Sequence, residues 1–389
     1  MSERMGFLID PEGTWKKVES VTLNPNIEYF TVGPLMHPAN STATVTQFLL
    51  LGFPSLGRQS RELLFALLSL AYAATMGPLM HPANSTATVT QFLLLGFPSL
   101  GRQSRELLFA LLSLAYAATM VGNFCIVWAV LRDPRLQRLP MYILLGNFSW
   151  LEICYVTSTA PQMLCNLLSP GLPISFHACF LQFYFFFSLG ATECFFLAAM
   201  ALDRYLAICQ PLRYPVLMSH QLCWTLVASC WFFGFMWFIA PISLMSRLSF
   251  CSPYTLDHFV CDPAPLLAAS CSPAHWAGQI CSTASSLKIL STVSFILASY
   301  GLIITAVLRL PAGAGRHKAF STCTSHLAIV SLFFGSVMVN YSFPTTSGTI
   351  GKVVMLFYAV GTPLLNPLIY SLRNKEMKGA LRRTLLGGP

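Results

Sequence analysis

Two carboxylic acids, Glu152 and Glu193, stand inside stretches of sequence that are otherwise almost wholly apolar. An isolated carboxylate is costly in such surroundings, so both must face inward and share a proton, a cation or polar partners such as Asn123 and Asn366. A charged pair, Asp203-Arg204, closes another apolar stretch and is a candidate switch at a helix end. Lys288 lies about 21 residues, or roughly 31 Å of helix, before Arg309. It either snorkels or faces a cavity, where it favours ligands bearing a carboxylate, a carbonyl or another acceptor. No hydrolytic triad or metal-ligand cluster accompanies these groups, so their chemistry is binding and switching rather than catalysis.

The elements that must carry them are apolar and long. The 389 residues are 55% hydrophobic and 10% charged, whereas a soluble domain is about 25% charged. Apolar runs of about 20 residues, enough to cross a bilayer core, recur along the chain. They fall near residues 107–131, 141–168, 178–202, 222–245, 277–309, 320–341 and 353–372. Seven spans place the termini on opposite sides. Lys and Arg gather in alternate connections (Arg132, Arg135 and Arg138; Arg204 and Arg213; Arg316 and Lys318) and in the tail (Arg373, Lys375, Lys378, Arg382, Arg383). The positive-inside rule therefore puts the N-terminus outside and residues 373–389, an amphipathic helix and tail, in the cytoplasm. The net charge of +9 reads as a topology signal and calls for no nucleic acid.

Two sequons, Asn40-Ser-Thr and Asn84-Ser-Thr, fall on the exterior side and are glycosylation candidates. Of 13 cysteines, nine lie in the spans or at their cytoplasmic edge, where a small buried hydrophobe is expected. The other four, Cys179, Cys251, Cys261 and Cys271, lie outside, where oxidation is permitted; spacing leaves all three pairings open.

Residues 33–76 recur identically as residues 77–120. The second copy runs on through Val121–Leu131 to complete a span, while the first ends after Leu63–Met76 at Gly77-Pro78. Those 14 residues rise only about 21 Å as a helix, short of a core about 30 Å thick. The organisation expected is a disordered extension (1–32), an extracellular or interfacial first copy (33–76), an extracellular segment (77–106) and a seven-span domain (107–372). Two such copies do not make a solenoid; their identity points to a recent or artefactual duplication.

Four motifs lie along the spans in order: LPMYILLGNFS (139–149), MALDRYLAIC (200–209), KAFSTCTSHL (318–327) and PLLNPLIYSLRN (363–374). The Asp-Arg-Tyr and Asn-Pro-x-x-Tyr elements among them resemble those of rhodopsin-like G-protein-coupled receptors. The full set is similar to tetrapod-type odorant receptors over roughly residues 80–386. The resemblance implies an all-α bundle of seven transmembrane helices in the plasma membrane, a small odorant as ligand and a heterotrimeric G protein as partner, of the stimulatory type that raises cAMP. It assigns coupling and activation to Asp203, Arg204, Tyr205, Asn366, Pro367 and Tyr370. It also implies the disulfides Cys179–Cys261, which would pin a loop over the bundle, and Cys251–Cys271. No cofactor is implied beyond a sodium ion at the level of Asn123, Glu152 and Glu193, where relatives commonly have Asp in place of Glu152.

A ligand pocket is then expected between the third, fifth, sixth and seventh spans. On the third span Phe183, Phe186, Phe187, Gly190, Ala191 and Cys194 share a face by their spacing. Such a stripe serves helix packing or a pocket wall, and the small Gly190 and Ala191 favour the wall. Lys288 and Tyr341 complete the candidate lining, and the implied ligand is small and largely apolar. Phe334 stands where relatives usually have Tyr, which removes a hydroxyl near the switch. The competing readings are a non-signalling or poorly trafficked product of the duplication and a transporter or channel. The latter lacks the inverted repeat and paired broken helices it would need.

Overall fold

Proline and short polar caps decide where the helices start, bend and stop. The computed structural model describes residues 6–9, 15–18, 89–251, 254–271, 274–309, 314–342, 349–373 and 375–386. Asn40, Asn84, the first repeat copy and the Gly77-Pro78 junction lie outside them. The first span is Arg102–Arg132, beginning ahead of the expected residue 107 with an exposed Arg102–Glu106 pair at 2.9 Å. The second is divided into Pro140–Thr157 and Ala160–Leu168. Pro161 has no N–H to give and disfavours helical backbone before it, so the chain turns at Ser158–Thr159.

The third span, Phe176–Cys209, starts on Ser175, whose Oγ accepts from Ala178 N at 3.2 Å. The fourth, His220–Trp237, is capped by Ser219 and bends at Phe238 into Ile239–Ser246, where Pro241 cannot donate to Trp237. The fifth is His275–Leu308 and the sixth Ala314–Ser342. The seventh runs Thr349–Leu356, passes through a π-turn at Phe357–Gly361 and continues as Thr362–Arg373. A last helix, Lys375–Leu386, follows it.

Five of these helices are long and apolar enough to cross a membrane, and Cys323–Met338 is a shorter apolar helix in the sixth span. The third span is the hub: 78% of its most apolar stretch is buried, against 28% in the first and fifth. Those outer helices turn Leu107, Leu114, Val121, Leu290 and Leu297 outward, which is stable only against lipid. Third and fourth spans touch through Gly234, where a Cβ would overlap Thr192; small residues allow such approach without hydrophobic drive.

At the end of the bundle where the third span begins, three strands form a lid. Gln91–Leu94 (β3) lies in the centre, antiparallel to Pro173–Ser175 (β4) and parallel to Thr255–Leu256 (β5). Phe92 and Leu94 point inward and are buried, with Phe92 edge-on to Phe250 at 5.1 Å. Cys179 is bonded to Cys261, and Cys251 to Cys271, with Cα atoms 5.5 and 5.2 Å apart. Residues 1–41 form a separate unit. Within the extension read as disordered, Gly6–Ile9 (β1) pairs antiparallel with Trp15–Val18 (β2).

Candidate functional site: a small cavity beneath the lid and two polar clusters

Glu152 and Glu193 are both fully buried in mid-bundle, close enough for their carboxyls to interact electrostatically. Asn366 Nδ2 donates to Glu152 Oε1 at 2.5 Å. Asn123 does not join them by a hydrogen bond. Its Nδ2 donates instead to Thr119 O (3.0 Å) and to Pro363 O (3.2 Å). That second carbonyl would ordinarily accept from residue 367, which is proline, so the Asn123 amide replaces a backbone donor the helix lacks. Glu152 Oε2, Glu193 Oε1, Asn123 Oδ1 and Asn366 Oδ1 are buried without a hydrogen-bond partner. They form a set of acceptors short of donors.

The second cluster closes the opposite end of the third span. Asp203 is buried, lies 3.8 Å from Arg204 Nε and accepts from Tyr214 Oη at 2.7 Å. Tyr205 is half-buried against the core. Tyr300 of the fifth span and His326 of the sixth share a hydrogen bond of 2.8 Å (Oη to Nδ1) and stack at 5.7 Å. The fifth and sixth spans thus hold, within electrostatic reach of Arg204, a pair that can exchange partners. Nearby, Arg383 Nη2 bonds Asp133 Oδ2 at 2.5 Å, and Tyr142 Oη bonds Glu376 at 2.8 Å, fastening the last helix. The Arg383 guanidinium holds the Asp133 carboxyl below its ordinary value.

Between the acids and the lid lies a cavity lined by Phe186, Phe187, Gly190, Cys194, Ser285, Lys288, Ile289, Phe333, Val337 and Tyr358. Its free volume is only about 10 Å³, room for about one water molecule. Lys288 is buried rather than snorkelling; its Nζ lies 5.1 Å from the centre of the Phe238 ring and acts on the charge of Glu193. Four of the six residues placed on one face of the third span line the cavity. Phe183 and Ala191 do not: Phe183 packs on Phe187 at 4.9 Å, and Ala191 is fully buried. Tyr341 and Tyr370 lie on described helices, but their side chains fall outside the described residues.

The lid is clamped from beneath and above. Gln182 Oε1 accepts from Cys261 N at 3.2 Å while its Nε2 donates to Ser158 O. Lys352 Nζ, buried, donates to Gly96 O at 2.8 Å and pairs with Asp257 at 2.5 Å, tying the seventh span to the strand β3 segment.

The family profile for olfactory receptors matches residues 112–387, which takes in all seven spans but for the first ten residues of the first. The chain belongs to the olfactory receptor family. It is 57% identical to olfactory receptor 11G2 of Homo sapiens over 348 residues, 89% of this chain and 87% of that relative. It is 54% identical to olfactory receptor 11H4 of Homo sapiens over 356 residues, 90% and 96% of the two chains. Olfactory receptor 11H6 of Homo sapiens matches at 57% over 268 residues, 68% of this chain and 81% of that relative. Members of this olfactory receptor family are multi-pass plasma-membrane signalling receptors and not enzymes.

Within this olfactory receptor the fold adds residues that spacing did not single out. His326 sits inside one of the quoted motifs and Tyr214 just beyond another, yet only the bundle sets Tyr214 on Asp203 and His326 on Tyr300. Tyr300 and Tyr358 carry no local signal at all. An aromatic residue in an apolar span looks like core until its neighbours are known.

Proposed function

We propose that this olfactory receptor binds a small, largely apolar odorant in the Lys288 cavity and activates a heterotrimeric G protein of the stimulatory type at the Arg204 end. The lid and its disulfides then face outside, and Arg204 and the last helix face the cytoplasm, as the distribution of Lys and Arg requires. What supports the reading is a chain of neighbouring polar groups that leads from the cavity across four helices to the seventh span. The ammonium of Lys288 lines the cavity and acts on Glu193. Glu193 interacts electrostatically with Glu152, which is bonded to Asn366 of the seventh span. An acceptor on the ligand that engaged Lys288 would change the field at the acids and so bias the packing of the seventh span, a shift between existing states.

The family requires no cofactor. Four partnerless oxygens on Glu152, Glu193, Asn123 and Asn366 are hard ligands that suit a sodium ion, which would stabilise two adjacent carboxyls when bound. In this reading Asp203, Arg204, Tyr205, Asn366, Pro367 and Tyr370 serve coupling and activation, and Asn40 and Asn84 carry glycans.

The test is to express the full chain beside one starting at Met80, label both at the surface and record cAMP against an odorant panel. Both are expected at the surface with equal responses, since the bundle and lid begin after that point. Surface-labelled receptor with no cAMP response to any odorant would remove the reading.

A further inference from the structure

We propose that Tyr358 is a movable plug in the ligand cavity and Gly190 the socket that receives it, so that this pair sets the size of molecule accepted. The proposal rests on the reading of that cavity as the odorant site. As it stands the cavity holds about 10 Å³, whereas small-molecule sites span roughly 300–1,000 Å³. A wall residue has to withdraw before any odorant fits.

The backbone marks which one. Every other lining residue sits on continuous α-helix of the third, fifth or sixth span, and Tyr358 alone sits on the π-turn Phe357–Gly361. There the Thr362 N–H reaches back five residues to Phe357 O, next to Pro363, which has no N–H to offer. A π-turn carries one residue more than an α-turn, and tightening it swings the side chains it bears. Tyr358 is buried, with its ring 5.7 Å from Tyr155, 6.0 Å from Phe186 and 5.7 Å from Phe333. Its hydroxyl fills the space over Gly190: a Cβ built there would lie 2.9 Å from Tyr358 Oη. Glycine at 190 therefore leaves no free room for a guest by itself; it makes room for the plug. When Tyr358 withdraws, the recess joins the cavity, and the hydroxyl becomes a second polar group beside Lys288 for a ligand bearing an alcohol or carbonyl.

The contact is with one atom, which makes a double-mutant cycle decisive. Full-length receptor is purified as wild type, Gly190→Ala, Tyr358→Phe, the double variant and Tyr358→Ala. Each is scored for thermal stabilisation by straight-chain alcohols of about four to ten carbons, where each methylene buried changes affinity about fourfold, and for cAMP in cells. Gly190→Ala should push the hydroxyl into the cavity, shortening the best-bound alcohol by about two carbons and weakening longer ones about tenfold. Adding Tyr358→Phe removes the atom that clashes and should restore the wild-type profile. Tyr358→Ala should shift the preference to longer chains. The plug is overturned if chain-length preference is the same in all five forms, if Phe does not rescue Ala, or if no alcohol stabilises any form, Tyr358→Ala included. In those cases an odorant-evoked cAMP signal from wild type leaves the receptor reading standing. A chain-length shift without any cAMP response supports the plug and sinks the signalling reading instead.

Discussion

Asp262 caps the short lid helix Pro263–Ala268 by accepting from Ala264 N at 3.1 Å, and burial pushes its carboxyl up to about 6. Four residues earlier, burial and then the Lys352 charge hold His258 down to about 4. The two act oppositely on stability. The raised acid contributes stability that is complete below its unfolded value of 3.8 and lost as pH rises through about 6. The depressed imidazole contributes stability that is complete above its ordinary 6.5 and lost as pH falls through about 4. Asp262→Asn keeps the cap and removes the charge. It should stabilise the receptor at pH 7.5 by on the order of 2 kcal/mol, which raises the thermal midpoint, and expose a steady loss of stability from pH 6.5 towards 4 that wild type partly cancels. A pH series of thermal melts on purified receptor checks this; an unchanged midpoint at pH 7.5 would remove the claim. In mid-bundle, Glu193→Gln leaves one carboxyl of the adjacent pair. Basal cAMP should then change about threefold or more, with its dependence on external sodium gone at equal surface labelling. A retained sodium dependence would mean the ion does not sit between these acids.

At the scale of the element, the seventh span shows how a helix can depend on its neighbours. Pro363 and Pro367 each remove a backbone donor, and the helix answers with a π-turn on one side and a borrowed amide from Asn123 on the other. Asn123→Leu leaves the Pro363 carbonyl buried without a donor, which costs about 1–3 kcal/mol. A lowered thermal midpoint together with a changed basal cAMP is expected, while Asn123→Gln should recover part of both. If Asn123→Leu melts with wild type, the carbonyl has found another donor. The proline break itself was legible from Asn366-Pro367 in the sequence. The identity of the group that repairs it was not, because a hydrogen bond across 240 positions has no local signature.

Among the described residues, the bundle is sealed at one end by a three-stranded sheet whose middle strand precedes the first span. Strand β3 supplies the middle of the lid sheet, so both β4 and β5 depend on it for pairing, and Phe92 and Leu94 fill the space beneath. A chain starting at Leu95 loses that strand and both copies of its sequence. It should lose on the order of 3 kcal/mol of stability from an emptied core site and orphaned backbone groups, and fall in surface labelling, where a chain starting at Met80 does not. Equal labelling of the two truncations would show the sheet to be dispensable.

The number and order of the spans, the charge asymmetry of their connections and the motifs at Asp203 and Asn366 were all readable in the chain. Each is a local property: twenty apolar residues, a run of Arg and Lys, a proline in a helix. Four outer cysteines left three pairings open, and the two bonds in the lid were settled by where the loops meet. Four of six residues on one helical face reached the cavity, because spacing gives the direction of a side chain but not what stands opposite. The tertiary structure alone decided that Lys288 is buried beside Phe238, that His326 and Tyr300 pair across two helices, and that Tyr358 fills the hollow over Gly190. Those contacts join residues on different helices, and close packing, not sequence proximity, determines them.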